Sequence, residues 1–330
     1  MQHMDFLAVG DITTDTFIRL TDARATCDID NENCTISMRW GDKLPYECAV
    51  EVTGVGNAAN AAVSAARLGL TSGLFTYTGA DEKGDGDVKN LVDNGVDISL
   101  VARSTDLPSN HDFVLWFENE RTILVKHSTF PYAFPQDLPA PRYLYLSSLG
   151  DPTGKTHAAV AAWAAAHPDT RICFQPGQEI RMNMSLLADL YKVSYFSACN
   201  KEEAAQILGH KDVPEISILL QEMAALGPQI VIITDGSGGA YAFDGQKKYH
   251  VPLYPDARAP YERTGAGDAF ASTVACALAL GMPLEEALLW GPINSMSVVQ
   301  DIGAQKGLLS RTALEDYLAK KPEDYTLTEL

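Results

Sequence analysis

The hydrophobic pattern of this chain alternates between two lengths. Short apolar runs at Phe6 to Val9, Tyr143 to Leu146, Arg171 to Phe174, Val193 to Phe196 and Ile230 to Ile233 are bounded by polar and turn-forming residues, as buried strands are. Between them lie longer alanine-rich or amphipathic stretches, Ala58 to Leu68, Lys155 to Ala166, Lys201 to Leu208 and Ile216 to Leu226, several closed by glycine or proline. That alternation predicts an α/β fold with a mainly parallel sheet flanked by helices. At 330 residues the chain reads as one such domain, 1–330.

Two regions break the rhythm. Thr16 to Tyr46 mixes polar and β-branched residues without a helical period, and Asp112 to Lys126 alternates around a turn at Glu118-Asn119-Glu120-Arg121. Both are expected to form strands outside the main sheet, in inserted segments of about 16–52 and 106–126. A small sheet inserted near one end of the strands of an α/β domain is well placed to act as a lid over a ligand cleft.

Composition narrows the function classes. Apolar residues make up 46% and charged residues 21%, an ordinary globular balance. Forty-three acidic residues against twenty-five basic give a net charge of −18, which repels nucleic-acid phosphates and anionic lipid, and no basic patch opposes it. No apolar stretch is long enough to span a bilayer, and Met1-Gln2-His3-Met4-Asp5 does not open a secretory signal. The six cysteines show neither a C-x-x-C pair nor metal-ligand spacing, and read as reduced thiols of a cytoplasmic protein. Cys27 and Cys34 lie near each other, and packing is expected there ahead of a disulfide or a metal pair.

The segment Arg263-Thr264-Gly265-Ala266-Gly267-Asp268-Ala269-Phe270 opens an alanine-rich helical run and carries the sharpest chemistry. Glycines at 265 and 267 let successive backbone N–H groups turn toward one point, and the start of a helix adds its positive dipole end, which makes an anion site. A carboxylate placed there is repelled by the anion unless it has a task. The task that fits Asp268 is general base, accepting the proton of an attacking hydroxyl while the amides hold a transferring phosphoryl group. Taken alone, the tetrapeptide is more simply a glycine turn with a capping Asp.

The tetrapeptide does not stand alone. With Gly54-Val55-Gly56-Asn57-Ala58-Ala59-Asn60 through Arg67-Leu68-Gly69, with Asn200-Lys201-Glu202-Glu203 and with Thr234-Asp235-Gly236-Ser237-Gly238-Gly239, the chain resembles, nearly end to end, a PfkB-family kinase of the ribokinase-like superfamily. Gly79-Ala80-Asp81-Glu82-Lys83-Gly84 and Glu120-Arg121-Thr122-Ile123 are further landmarks of that family, without an assigned chemical role. The resemblance implies a three-layer α/β/α domain with a small β-sheet lid. It implies an ATP-dependent transfer to a hydroxyl of a small sugar, with Gly265, Ala266 and Gly267 as anion hole and Asp268 as base. The acceptor would be held by Asp11, Asp15, Gly56, Asn57, Asn60 and Lys43, the nucleotide by Asn200, Glu203, Thr234, Gly236, Gly239 and Asn294, with Gly303-Ala304 near the adenine. Glu203 would organise Mg2+ through water, and relatives often dimerise through the lid.

Several features stand beside these implications. Asn200 with Glu203 is a good helix-capping box in its own right. Neither a Walker P-loop nor the protein-kinase motif set occurs. Glu262 stands where relatives have Asp near a monovalent-cation site, leaving potassium open, and Phe174-Gln175-Pro176-Gly177-Gln178-Glu179 departs from the sugar-kinase pattern. Two other functions compete. A nucleoside acceptor would use Trp40, Phe113, Trp116 and Phe130 for stacking, and a catalytically silent ligand-binding protein would keep the fold without turnover.

Overall fold

The computed structural model describes residues 4–27, 34–118, 120–151, 154–177 and 184–330. Its large sheet has ten strands in the order Thr328–Glu329, Lys248–Val251, Ala240–Phe243, Ile230–Thr234, Ser194–Asn200, Arg171–Phe174, Tyr143–Leu146, Phe6–Val9, Ser72–Gly79 and Val101–Ser104. From Val101–Ser104 to Ile230–Thr234 every pairing is parallel, and the remaining pairings are antiparallel. The apolar runs are continuous because both faces are covered. Phe6 and Ala8 join the core on one face, Leu7 and Val9 the core on the other.

Helices Asn57–Arg67, Ala266–Ala279, Leu284–Val298 and Arg311–Ala319 contribute to the first core, and Lys155–Ala166, Ala188–Val193, Lys201–Leu208 and Ile216–Ala225 to the second. The result is three layers, with strand Tyr143–Leu146 beside Phe6–Val9 at the point where the strand order reverses. Ligands of open parallel sheets bind beyond the carboxyl ends at such a point. The strand expected at Val193 to Phe196 runs instead over Ser194–Asn200. Val193 closes the preceding helix, while Ser197, Ala198 and Cys199 are buried by the layers around them despite weak hydrophobicity.

A second sheet of four strands has the order Tyr46–Val55, Thr13–Leu20, Asn110–Phe117, Glu120–Leu124. Its first segment enters directly from the core strand Phe6–Val9 through residues 10–12, so it starts nearer the core than the expected residue 16. Burial alternates along Asn110–Phe117: Asn110, Asp112, Val114 and Trp116 are covered, while His111, Phe113 and Leu115 are not. Asp15 lies opposite Asp112 and Arg121 opposite Trp116 on neighbouring strands. Residues 28–33 and Asn119, which fall within the expected lid segments, and Gln178 and Glu179 lie outside the described residues.

The expectation of six reduced thiols is corrected at one pair. Strands Arg24–Thr26 and Thr35–Ser37 pair antiparallel with Thr26 opposite Thr35, so the next residues inward, Cys27 and Cys34, face each other and form a disulfide. Cys173, Cys199 and Cys276 are buried free thiols, and Cys48 is half-buried. Among the described residues no helix is long and apolar enough to cross a membrane.

Arg67 ties the amino-terminal helix to the distant carboxyl-terminal segment. Its Nη1 donates to the carbonyls of Gln305 at 2.6 Å and Leu308 at 2.8 Å, while Nε and Nη2 donate to Asn94 Oδ1 at 3.1 and 2.8 Å. Charge-assisted bonds of this kind contribute most when their loss strands partly buried acceptors, so Arg67→Ala is expected to lower stability by about 3 kcal/mol in urea unfolding. A substitution effect within experimental error would show that Arg67 carries no such load. Thiol titration of the denatured, unreduced chain is expected to count the four free cysteines, rising to all six after reduction. A count of six before reduction would exclude the Cys27–Cys34 bond.

Candidate active site

Asp268 occupies the first turn of helix Ala266–Ala279, whose amino terminus is Gly265. Gly265 has φ of +83°, and a Cβ there would lie 2.2 Å from Ala304 Cβ, so the turn requires glycine both for its backbone angle and for its contact. Gly303-Ala304 therefore supports this turn, and neither residue lines the cavity in front of it. That cavity, of about 550 Å³, is lined by Gly265, Ala266, Gly267 and Asp268 together with Asn57, Gln175, Asn200, Glu203, Thr234, Gly236 and Gly239. Gln175, Asn200 and Thr234 sit at or just beyond the carboxyl ends of adjacent parallel strands.

The Asp268 carboxylate is held from two sides. Asn60 Nδ2 donates to Oδ2 at 2.8 Å and Gln175 Nε2 donates to Oδ1 at 2.9 Å. Each donor is itself positioned: Tyr145 hydroxyl donates to Gln175 Oε1, and Gln305 Nε2 donates to Asn60 Oδ1 at 3.0 Å. Burial pushes the Asp268 carboxyl above its ordinary value, opposed by the Asn60 and Gln175 bonds and by the charge of Arg121. A carboxylate so placed is a stronger proton acceptor than an exposed one.

On the side expected to hold the nucleotide, Asn200 and Glu203 form a complete capping box: Asn200 Oδ1 accepts from Glu203 N at 2.7 Å, and Glu203 Oε2 accepts from Asn200 N at 2.9 Å. Burial raises the Glu203 carboxyl. Its carboxylate borders the cavity beside Glu202. Asn294 is elsewhere. It is fully buried, donating to Thr273 Oγ1 at 2.7 Å and accepting from Leu309 N at 2.9 Å, and it packs helix on helix instead of lining the cavity.

The residues expected at the acceptor end fall into two groups. Gly56 has φ of +109°, and a Cβ there would come within 2.9 Å of the Asp11 carbonyl, so this turn lies hard against the Asp11 loop. Asp11 is buried, with Oδ1 accepting from Tyr132 hydroxyl and Oδ2 3.1 Å from His127 Nδ1. His127 Nε2 lies 3.2 Å from Asp112 Oδ2. Burial opposes the charge of His127, yet its bonds to Asp11 and Asp112 raise it to about 10, so an imidazolium bridges the two carboxylates at neutral pH. Lys43 is exposed, and of the residues expected at the acceptor end only Asn57 borders the cavity. None of the four aromatics offered for base stacking borders the cavity either. Trp116 and Phe130 are packed inside, Trp40 is 99% exposed, and Phe113 lies on the outer face against His111.

Arg121, Arg263, Gln175, His127 and Tyr132 were not assigned chemistry by the sequence. Arg121 borders the cavity from strand Glu120–Leu124, its Nε has no hydrogen-bond partner, and it lies 3.9 Å from Glu262 Oε1. Period-2 alternation would have put Arg121 and Ile123 on one face, but only strand pairing says which face meets the cleft. Gln175 follows a core strand directly, a signal that position alone supplies. No local signal marks His127. Glu262 is 2% exposed; its Oε1 accepts from Thr264 N and Oγ1 at 2.8 and 2.6 Å, and its Oε2 is buried without a partner.

Asp15, buried on the strand beside Asp112, has an Oδ1 without a hydrogen bond. Burial first, then repulsion from Asp112, raises its carboxyl from 3.8 to about 7. The folded chain thus keeps a proton that the unfolded chain releases near pH 4, so this contribution to stability is complete below that pH and is lost as pH rises through about 7. Asp15→Asn cannot ionise, so its melting temperature relative to wild type is expected to climb between pH 5 and pH 8. A difference independent of pH in thermal scans would contradict the raised carboxyl.

The sequence pattern of the pfkB family of carbohydrate kinases matches residues 33–311. Ribokinase of Bacillus subtilis (strain 168) is 28% identical over 269 residues, covering 80% of this chain and 87% of that protein. A nucleoside kinase of Methanocaldococcus jannaschii is 26% identical over 262 residues, covering 77% of this chain and 81% of that protein, and its crystal structure superposes with a TM-score of 0.76 at 21% identity over 96% and 99% of the two chains. The structure of Arabidopsis thaliana ribokinase complexed with ribose and ATP superposes with a TM-score of 0.76 at 19% identity, over 96% of this chain and 99% of that one. The fold is ribokinase-like, and the family pattern spans most of the chain. The chain belongs to the pfkB family of carbohydrate kinases.

Proposed function

We propose that this protein transfers the γ-phosphoryl group of ATP to a hydroxyl of a small sugar, with Asp268 as general base. The observation that carries the reading is the placement of Asp268: a half-buried carboxylate, raised by desolvation, beside the glycine-bounded amino terminus of a helix at the foot of the cavity. The amides of Gly265, Ala266 and Gly267 supply an anion hole for the transferring group, while Asn60 and Gln175 keep the carboxylate turned toward the acceptor. Arg121 reaches the same space and would bring its positive charge to phosphate oxygens. Phosphoryl transfer needs this positioning and charge stabilisation more than covalent chemistry.

In this reading Asn200, Glu203, Thr234, Gly236 and Gly239 border the nucleotide phosphates. Among the described residues no cluster of three His, Cys, Asp or Glu could hold a metal by itself. Mg2+ suits the site in another way, since it keeps waters and takes phosphate ligands, and Glu203 would hold those waters through its carboxylate. When bound it neutralises developing charge on the phosphates. A monovalent cation such as potassium is assigned to Glu262, whose buried Oε2 lacks any donor. Neither Asn294 nor Lys43 has a part in this reading.

The four-stranded sheet is the lid. Asp11, Asp15 and the Gly56, Asn57 and Asn60 turn form the acceptor end beneath it. Tyr132 and His127 orient Asp11, and a carboxylate with about four acceptor positions still has room for sugar hydroxyls after accepting from both. The lid's outer face and free edge leave Trp40, Tyr46, Phe113 and Leu124 exposed, which a second copy would cover in a dimer. In this reading the protein works in the cytoplasm, where ATP is supplied.

The test is ADP release with ATP and Mg2+ against D-ribose, D-fructose and adenosine. A sugar is expected to give turnover, adenosine turnover alone would move the acceptor to nucleosides, and no turnover with a broad sugar and nucleoside panel would favour a silent binding protein. Asp268→Asn is expected to lower kcat about a thousandfold with ATP affinity little changed by calorimetry. Wild-type turnover in that variant would remove Asp268 from the chemistry.

A further inference from the structure

Three consecutive residues just before the anion-hole turn each meet a different residue of the lid. Tyr261 packs edge-to-face on Trp116, with ring centroids 4.9 Å apart, and its hydroxyl accepts from Arg19 Nη1 at 3.3 Å. The Arg19 guanidinium lies 4.6 Å from the Trp116 ring centroid and 5.7 Å from that of Tyr261, closing a three-member stack. Glu262 faces Arg121 at 3.9 Å, and Arg263 Nη1 lies 3.4 Å from Glu120 Oε1. Trp116, Arg19, Arg121 and Glu120 all belong to lid strands.

The same three residues are anchored to the core from behind. Tyr261 N and Glu262 N both donate to the Val299 carbonyl, at 2.7 and 3.3 Å, just after helix Leu284–Val298. From Glu262 the chain passes at once into the turn: Thr264 bonds to the Glu262 carboxylate and Ala266 N donates to the Arg263 carbonyl at 3.4 Å. Three residues separate Tyr261 from Gly265. The contacts are unequal. Arg263 and Glu120 are both largely in solvent, where an ion pair contributes little, whereas Tyr261, itself 42% exposed, packs one edge on a Trp116 that is 2% exposed, with Arg19 half-buried beside both.

We propose that Tyr261-Glu262-Arg263 is the docking strip on which the lid closes, and that Tyr261, through its stack on Trp116 and Arg19, is a positioning residue coupling lid closure to the setting of the anion hole. The proposal rests on the reading of this site as a phosphoryl-transfer centre for its kinetic part only; the docking itself is a property of the fold. An open lid would leave Gly265 to Gly267 unsupported on that side and admit water to the phosphates.

The experiment compares full-length wild type, Tyr261→Ala, Tyr261→Phe and Arg19→Gln by amide hydrogen exchange and by steady-state kinetics with ATP and whichever sugar or nucleoside supports turnover. In Tyr261→Ala, exchange in Asn110–Phe117 and Glu120–Leu124 is expected to speed up about tenfold while Ile230–Thr234 keeps its wild-type rate. Its kcat is expected to fall about tenfold or more with KM for ATP within about threefold, and ADP release without acceptor to rise relative to phosphorylation. Tyr261→Phe keeps the ring and is expected to behave as wild type. Arg19→Gln is expected to shift the lid strands in the same direction by less, and it decides the matter if Tyr261→Ala fails to fold.

Wild-type exchange of the lid strands in both Tyr261→Ala and Arg19→Gln would overturn the docking strip. Faster lid exchange with unchanged kcat would overturn the coupling, and so would a Tyr261→Phe variant as impaired as Tyr261→Ala. A wild-type protein without turnover on any acceptor defeats the kinase reading instead, and hydrogen exchange then judges the docking strip alone.

Discussion

A carboxylate beside an anion-binding helix terminus is the electrostatic conflict around which this structure is arranged. Asp268 lies within one turn of Gly265, where the backbone gathers positive potential that the proposed reaction would turn to an incoming phosphoryl group. Left to rotate, the side chain would cap its own helix and fill the site. The Asn60 and Gln175 amides prevent that by holding one oxygen each. The tie to Asn60 runs across 208 residues of sequence, and Gln305 fastens Asn60 in turn, so the geometry of one side chain depends on three remote parts of the chain.

The acceptor end shows a different solution to crowded charge. Asp11 and Asp112 approach one another on either side of His127, whose imidazolium shares its single positive charge between them. Asp15, next to Asp112 but without such a partner, retains its proton into the neutral range. Buried like charges are tolerated either by a shared cation or by protonation, and this pocket contains one case of each. The pocket thus gathers several hydrogen-bond acceptors whose excess negative charge is already reduced.

Arg67 links these ends to the scaffold. It belongs to the Arg67-Leu68-Gly69 signature, and its bonds to the Gln305 and Leu308 carbonyls hold the segment from which Gln305 reaches Asn60. A residue that looked like a family marker is a structural brace for the segment that holds Asn60 against Asp268. Asn294 underwent the opposite change of meaning: a polar residue that resembled part of the adenine pocket turns out to fasten helix Leu284–Val298 to helix Ala266–Ala279 and to Leu309. Lys43 and the stacking aromatics were also misplaced by residue type, because a side chain's chemistry says nothing about whether it faces inward or outward.

The strands at Phe6–Val9, Tyr143–Leu146 and Arg171–Phe174 and the helices at Lys155–Ala166 and Lys201–Leu208 were legible residue for residue, because local periodicity and capping chemistry act over a few neighbours. The glycine turn ahead of Asp268 was legible for the same reason, since glycine suits the positive φ of such a turn and Gly265 has φ of +83°. Tertiary structure alone decided which partners Asp268, Asp11 and Arg121 acquired, that Thr26 opposite Thr35 brings Cys27 to Cys34, and that Tyr261 meets Trp116. Those outcomes depend on strand register and on contacts between residues far apart in the chain, and neither leaves a periodic trace in the amino-acid order.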